Sequence, residues 1–406
     1  MLGYYSTRDL IPLYGIYALL FRDHGLSAGQ VSSLFVIWSL TSFVCEVPSG
    51  AWADTVDRRR LLVGSGLVYA AGFGVWTLQP SYLGFAAGFA LWGLSGAMMS
   101  GTFEALLYDE LAARSATSRY PGLVGWAHSL AMGANLVATA LCGPLFAWGG
   151  YALVGWVSVG IALAHASLAW SLPAAPKARP AGEVSAAAQP AGSRVLRRYL
   201  AMLRAGVREA TLHARVRHMV LISAVLLGLT AYDEYFPLVA RDNGAATADV
   251  PLLVAMVVAG QFIGTALAGR TAAMSGRRMA QVVALSAVAI SVGALSGHPT
   301  GFVAIAVGYG MVNNAIIVSE ARLQEVISGP ARATVTSTAG LSCEVVAVSI
   351  YVGFAVGSAW LSVATLVALL GLPMLAVAAA VGRWLPASRQ DEQSAVGSPR
   401  TDNGGP

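Results

Sequence analysis

Of the ionisable side chains within or at the ends of long apolar runs of this 406-residue sequence, eight are candidates for chemistry: Glu46, Glu104, His128, Asp233, Glu234, Glu320, Arg322 and Glu344. A charge at the centre of a membrane-spanning helix costs about 2.5–3.5 kcal/mol on insertion scales, so each of them invites a functional role. Glu344 sits nearest the middle of its run and is the first choice for a proton carrier, ahead of Glu320, Glu104 and the adjacent Asp233 and Glu234. A carboxyl that is neutral when occluded and charged when solvated can couple proton movement to a conformational cycle. Spacings of seven and eleven residues align further polar groups on helix faces, His128 with Asn135 and Thr139 and Asn313 with Glu320 and Gln324, and a seven-residue repeat aligns Ser337 with Glu344 and Tyr351. His128, Asn135, Asn313, Ser337 and Tyr351 are therefore candidates for the wall of a central cavity.

Blander roles stand beside these. Glu104, Glu320 and Arg322 lie toward the ends of their runs, where pairing with each other or with backbone would simply set helix packing. Asp233 and Glu234 fit either a cation-attracting vestibule or a solvated interfacial pair. Glu46, two residues before Pro48, fits a capping role at a kink, and His165, alone in its run, fits a packing role. Gly93, Ala97 and Gly101 are spaced for close helix contact. Cys45, Cys142 and Cys343 all lie in apolar runs and read as packing residues, with neither a disulfide nor a metal set. Phosphate-binding Gly-Lys loops, His-Glu-x-x-His and Gly-x-Ser-x-Gly are lacking, so the sequence offers no catalytic residues and calls for no cofactor.

The elements that must position these groups are set by composition. With 56% hydrophobic and 11% charged residues, the chain would have to bury nearly everything if it were soluble. An all-α integral membrane protein is the expectation, with about twelve spans at 6–22, 30–52, 61–78, 83–107, 122–147, 150–172, 218–240, 251–273, 280–297, 301–321, 334–356 and 360–383. Arg8, Asp9 and Pro12 interrupt the first, for which a half-inserted segment is the alternative. Arg58, Arg59, Arg60, Arg114, Arg119, Arg277, Arg278 and Arg332 gather on one side, against Arg22 and Arg241 in short loops on the other. That asymmetry predicts cytoplasmic termini in a plasma or inner membrane. The net charge of +5 then reflects topology and anionic lipid, not nucleic acid.

Residues 1–172 and 218–385 form two six-span halves. The connection 173–217 opens as a Pro/Ala linker and continues as a basic amphipathic helix carrying Val195, Tyr199, Leu203 and Val207, suited to the membrane surface or to a partner. The tail 386–406 is polar and expected to be disordered. The N-terminus lacks a basic stretch followed by a short apolar core, so no removable signal peptide is expected. A repeat relates the halves: Arg22-Asp23-His24-Gly25 returns 219 positions later as Arg241-Asp242-Asn243-Gly244, and Arg58-Arg59 as Arg277-Arg278. Two pseudo-symmetric halves around a mid-membrane site are a known transporter plan.

Gly50-Ala51-Trp52-Ala53-Asp54-Thr55-Val56-Asp57-Arg58-Arg59, with its second-half echo at Gly269 to Gly276-Arg277-Arg278, resembles the loop signature of the major facilitator superfamily. Thr55, Asp57 and Ala273 depart from it. The fourth span lacks the arginine typical of drug exporters, and the fifth has only Gly143-Pro144 of their glycine motif. The resemblance implies alternating access around a cavity lined by spans one, four, five, seven, ten and eleven. It also implies a conformational latch at Gly50, Asp54, Arg58, Arg59, Gly276, Arg277 and Arg278. The leading expectation is secondary transport by a monomer, foremost proton-coupled export of a small hydrophobic or cationic compound, which carboxylates in both halves and few basic residues on the cavity-facing helices suit; nutrient uptake or a non-transporting sensor or enzyme are the alternatives.

Overall fold

Apolar runs as long as a bilayer is thick dictate helices, because a chain in hydrocarbon must satisfy its backbone hydrogen bonds within itself. The computed structural model describes residues 1–173, 214–327 and 332–385, and among these all side chains except those of 47–51, 53–55 and 332–334. Most of the linker, the amphipathic segment and the tail lie outside the described residues, as do the side chain of Asp54 and the setting of Gly50. Among the described residues the regular structure is entirely helical.

The first six segments are α1a (Leu2–Thr7) and α1b (Tyr17–Asp23), α2 (Ala28–Thr55), α3 (Arg58–Leu78), α4a (Tyr82–Met99) and α4b (Thr102–Ala113), and the two arms of Tyr120–Trp170, α5 and α6. Those arms fold at Gly149 and Gly150, whose φ/ψ of −150°/18° and 59°/−158° leave the helical region. The second six are α7a (Ala214–Leu229) and α7b (Phe236–Asp242), α8 (Val250–Thr271), α9 (Gly276–Ala294), α10 (Gly301–Val326), α11 (Arg332–Gly357), and α12a (Val363–Leu369) with α12b (Gly371–Trp384). Nine stretches among the described residues are long and apolar enough to cross a membrane, and one of them, Thr117–Trp170, contains both α5 and α6. The broken α1 and α9, which opens on Arg277 and Arg278, complete the twelve segments.

The first, fourth and seventh segments are not the continuous helices expected. Pro12 breaks the first: Ile11 before it is extended (φ −104°, ψ 107°), as the clash with the proline ring requires, and a 3₁₀ turn Pro12–Gly15 leads toward α1b. In the seventh, a 3₁₀ turn Thr230–Tyr235 runs into α7b, with Pro237 in its first turn, where the missing N–H costs nothing. The 219-residue offset carries α1b, 17 to 23, onto α7b, 236 to 242, and Gly25 (φ 88°) onto Gly244 (φ 83°). Both glycines hold the left-handed turn that other residues resist, so the repeat extends to backbone geometry.

The fourth segment breaks at Ser100 and Gly101, so Gly101 ends a helix instead of packing against one. Gly93 does pack: a Cβ there would lie 2.9 Å from Ser42 N and 3.0 Å from Trp38 O of α2. The second half repeats the device, with Gly264 of α8 lying so close to Gly310 of α10 that no side chain fits between them. Ser27, Asp57, Ser81, Ser275 and Ser362 cap the first turns of α2, α3, α4a, α9 and α12a, each accepting a backbone N–H. Fully buried Phe21, Phe35, Phe73, Trp76, Phe85 and Phe89 fix α1b against α2, α3 and α4a, and Trp76 Nε1 donates to Phe85 O at 2.9 Å.

Candidate functional site

The two helix breaks face each other across a cavity of about 290 Å³ between the halves. From the first half come Arg8 and Asp9 at the break, Tyr14 and Tyr17 just beyond it, Trp38 of α2, Trp92 of α4a, and Asn135 and Thr139 of α5. From the second come Asp233, Glu234 and Phe236 of α7, Gln261 and three valines of α8, and Tyr309 of α10. The breaks explain why charge can sit here: a segment that leaves helical geometry turns its polar groups toward a cavity instead of lipid. Tyr14 stacks on Trp92 with centroids 5.0 Å apart, and Trp38 lies 5.1 Å from the same indole, so one wall is aromatic. The Tyr14 hydroxyl bonds Tyr69 of α3.

The acidic pair is held from both halves. Tyr17 donates to Glu234 across the interface, while Tyr309 donates to Asp233 Oδ2 at 2.5 Å within the second half. Beside them Tyr235 donates to the buried Ser32 of α2 at 2.8 Å. At the arginine-poor end, Arg241 of α7b grips Asp23 of α1b with both guanidinium nitrogens, one of them at 3.0 Å, and Tyr151 of α6 donates to the same carboxylate at 2.5 Å. The Arg-Asp motif of one repeat thus ties into that of the other, and the molecule is closed at this end.

The sequence candidates separate clearly. Asp233, Glu234 and Asn135 line the cavity. Asn313 stands one step behind its wall, accepting from Gln261 Nε2 at 3.2 Å. Glu344 lies elsewhere: it is exposed and accepts from Ser39 Oγ of α2 at 2.6 Å. Tyr351 packs its ring against Phe35 and Tyr235. Segment eleven therefore seals against α2 and does not line this cavity, whereas α2 and α8 do. Ser337 is half-buried on α11. His128 is exposed on α5, 3.1 Å from the Tyr5 hydroxyl. Glu320 lines a separate cavity of about 530 Å³ with Ser223, Gln324 and Thr336, and Glu104 is half-buried in the first turn of α4b. Arg322 has a packing role, donating to the carbonyls of Ala272 (2.9 Å) and Met274 (3.4 Å) beyond the end of α8. Glu46 accepts from Ser100 at 2.9 Å, tying α2 to the break in segment four.

Arg8, Asp9, Tyr14, Tyr17, Trp38, Trp92, Gln261 and Tyr309 were not singled out from sequence. Arg8 and Asp9 carried the available signal, two charges beside a proline in an apolar run whose counterpart in the other half also contains a proline. At the residues expected to form a latch, Arg58 pairs with Asp109 of α4b and donates to Ala105 O at 3.1 Å, and Arg59 lies 5.8 Å from the Trp170 ring. Gly276, Arg277 and Arg278 begin α9 under the Ser275 cap, with both arginines exposed. Among the described residues no group of three or more His, Cys, Asp or Glu is placed to hold a metal ion.

A sequence model of the Major Facilitator Superfamily matches residues 4–349. The chain belongs to this superfamily. Its fold is shared with a bacterial homologue of the human lysosomal transporter Spinster, solved inward-facing and unoccupied (14% identity, 95% of this chain and 90% of that one, TM-score 0.64). It is also shared with an auto-inhibited POT family peptide transporter (15%, 100% and 98%, 0.66) and a D-xylose–proton symporter (14%, 96% and 96%, 0.65). At these identities the likeness is one of fold alone. No curated protein matches the sequence. As a superfamily member the chain is a multi-pass membrane protein acting in secondary transport of a small molecule.

Proposed function

We propose that this superfamily member exchanges protons for a small, partly apolar compound bearing a positive charge, exporting it by alternating access across the plasma membrane with both termini in the cytoplasm. The observation that carries this reading is the pairing of Asp233 and Glu234 with an aromatic wall in one cavity, at the point where both halves break. Trp38, Trp92 and Tyr14 offer π faces to an organic cation. A carboxylate can hold a proton or a cationic group but not both at once, and competition for one site obliges exchange. The Tyr17–Glu234 bond joins the halves, so occupancy of Glu234 is felt by the interface that must open. We assign proton coupling to Glu234 and Asp233 ahead of Glu344, Glu320 and Glu104, and keep the latch at the arginine-rich face around Arg58 and Asp109, with the chain acting as a monomer.

The test is flux in vesicles containing the purified protein and a pH-sensitive dye, challenged with a panel of aromatic amines. Amine movement against an opposing proton flux, lost in Glu234→Gln, is expected. Amine flux indifferent to the pH gradient overturns the exchange reading, and proton and solute moving the same way replaces export by uptake.

A further inference from the structure

The cavity holds a charge that proton–cation exchange does not use. Arg8, half-buried at the break of α1, lines the same space as Asp233 and Glu234 and comes from the opposite half. Among the described residues its guanidinium makes no direct hydrogen bond or ion pair, and its neighbour Asp9 acts on it only as a nearby charge. Of the other arginines at least half-buried, Arg58 is engaged by Asp109, Arg241 by Asp23 and Arg322 by two carbonyls, while Arg59 lies against the Trp170 ring, outside any charged cavity. An arginine in an apolar span without a direct partner is costly, and its five donors form a fork shaped for a carboxylate or phosphate.

We propose that the ligand is a small zwitterion with an apolar body, its anionic group on Arg8 and its ammonium on Asp233 and Glu234. The proposal rests on the transport reading of this cavity and narrows its substrate. A simple cation would meet Arg8 as a like charge. A simple anion would face Asp9, Asp233 and Glu234. A zwitterion satisfies both walls, and the aromatic wall formed by Tyr14, Trp38 and Trp92 gives a flat apolar body a surface to lie against. A volume of about 290 Å³ suits a ligand of amino-acid size. Because the two charges belong to different halves, such a ligand also bridges the halves and favours the closed form over either open one.

Three compounds with one aromatic body separate the charges: phenylalanine, phenethylamine and 3-phenylpropionate, titrated calorimetrically into the full chain in lipid nanodiscs. Phenylalanine is expected to bind at least about tenfold more tightly than either singly charged compound, as a charge-assisted contact at each end implies. Arg8→Gln should erase its advantage over phenethylamine while leaving phenethylamine bound. Arg8→Lys, which keeps the charge without the fork, should preserve part of the advantage and serves if the glutamine variant does not fold. Phenethylamine binding as tightly as phenylalanine, or a ratio unchanged in the Arg8 variants, overturns the zwitterion and leaves the cavity standing. Binding of none of the three overturns both.

Discussion

Replacing Arg241 by alanine should loosen the closed arginine-poor face, and the size of the effect can be worked out. The side chains of Arg241 and Asp23 are 33% and 34% exposed, so water screens the pair, and exposed ion pairs contribute about 0.2–1 kcal/mol. Two features place this one at the upper end: the guanidinium engages both carboxylate oxygens, and Tyr151 donates to one of them. A loss of about 1 kcal/mol lowers the closed-to-open ratio about fivefold. Nitroxide labels at Gln79 and His298, exposed at the arginine-poor ends of the two halves, would report it as a growing long-distance population in double electron–electron resonance, with Cys45, Cys142 and Cys343 replaced beforehand. Asp23→Ala should do the same, and Asp23→Arg combined with Arg241→Asp should recover much of the closed population. Distances unmoved by either single change, or singles that shift them with no recovery in the double, would refute the assignment of this pair as a gate.

Other consequences are simpler to measure. Arg58→Ala strips the partner from Asp109, which is only 8% exposed, and should cost about 3 kcal/mol or more of thermal stability in detergent; a melting temperature equal to the parent's contradicts a structural pair there. In vesicles the same variant should slow transport more than it weakens substrate binding, because Arg58 lies outside the cavity lining. Gly264→Val must part α8 from α10 and should cost about 1–3 kcal/mol, whereas Gly269→Ala, which opens into free space within the same helix, should cost nothing and add up to about 1 kcal/mol of stability. Glu234→Gln should abolish the pH dependence of flux with the protein still folded, and a surviving dependence moves the proton site elsewhere.

Much of the architecture was written in the sequence as composition. Apolar runs bounded by arginines placed the segments, and the Arg-Asp-x-Gly repeat anticipated a duplication that α1b, α7b, Gly25 and Gly244 repeat in their geometry. The site was less legible, for a physical reason. Hydropathy treats Arg8, Asp9 and Pro12 as damage to a span, yet a span interrupted in both halves is where a cavity must form. Tyr17 and Tyr309 are ordinary aromatics until the fold sets their hydroxyls on carboxylates. Glu344 shows the converse: central depth along a helix says nothing of which way the face turns, and α11 turns it toward Ser39. The Arg58–Asp109 pair joins residues 51 positions apart and needed tertiary structure to appear.

The tie between Asp23 and Arg241 also breaks the symmetry of the repeat. In a pair of identical subunits related by a two-fold axis, any contact from one to the other is made twice. The twin of this contact would join Arg22 to Asp242. Instead Arg22 donates to its neighbour Leu26 O at 2.8 Å, and Asp242 receives the Ala364 N–H at 3.3 Å, steadying the start of α12a. In one polypeptide carrying both copies of the repeat, these residues need not match each other. One of the two symmetry-related bridges is present, and the side chains of the other hold local contacts that a homodimer could not assign to one subunit alone.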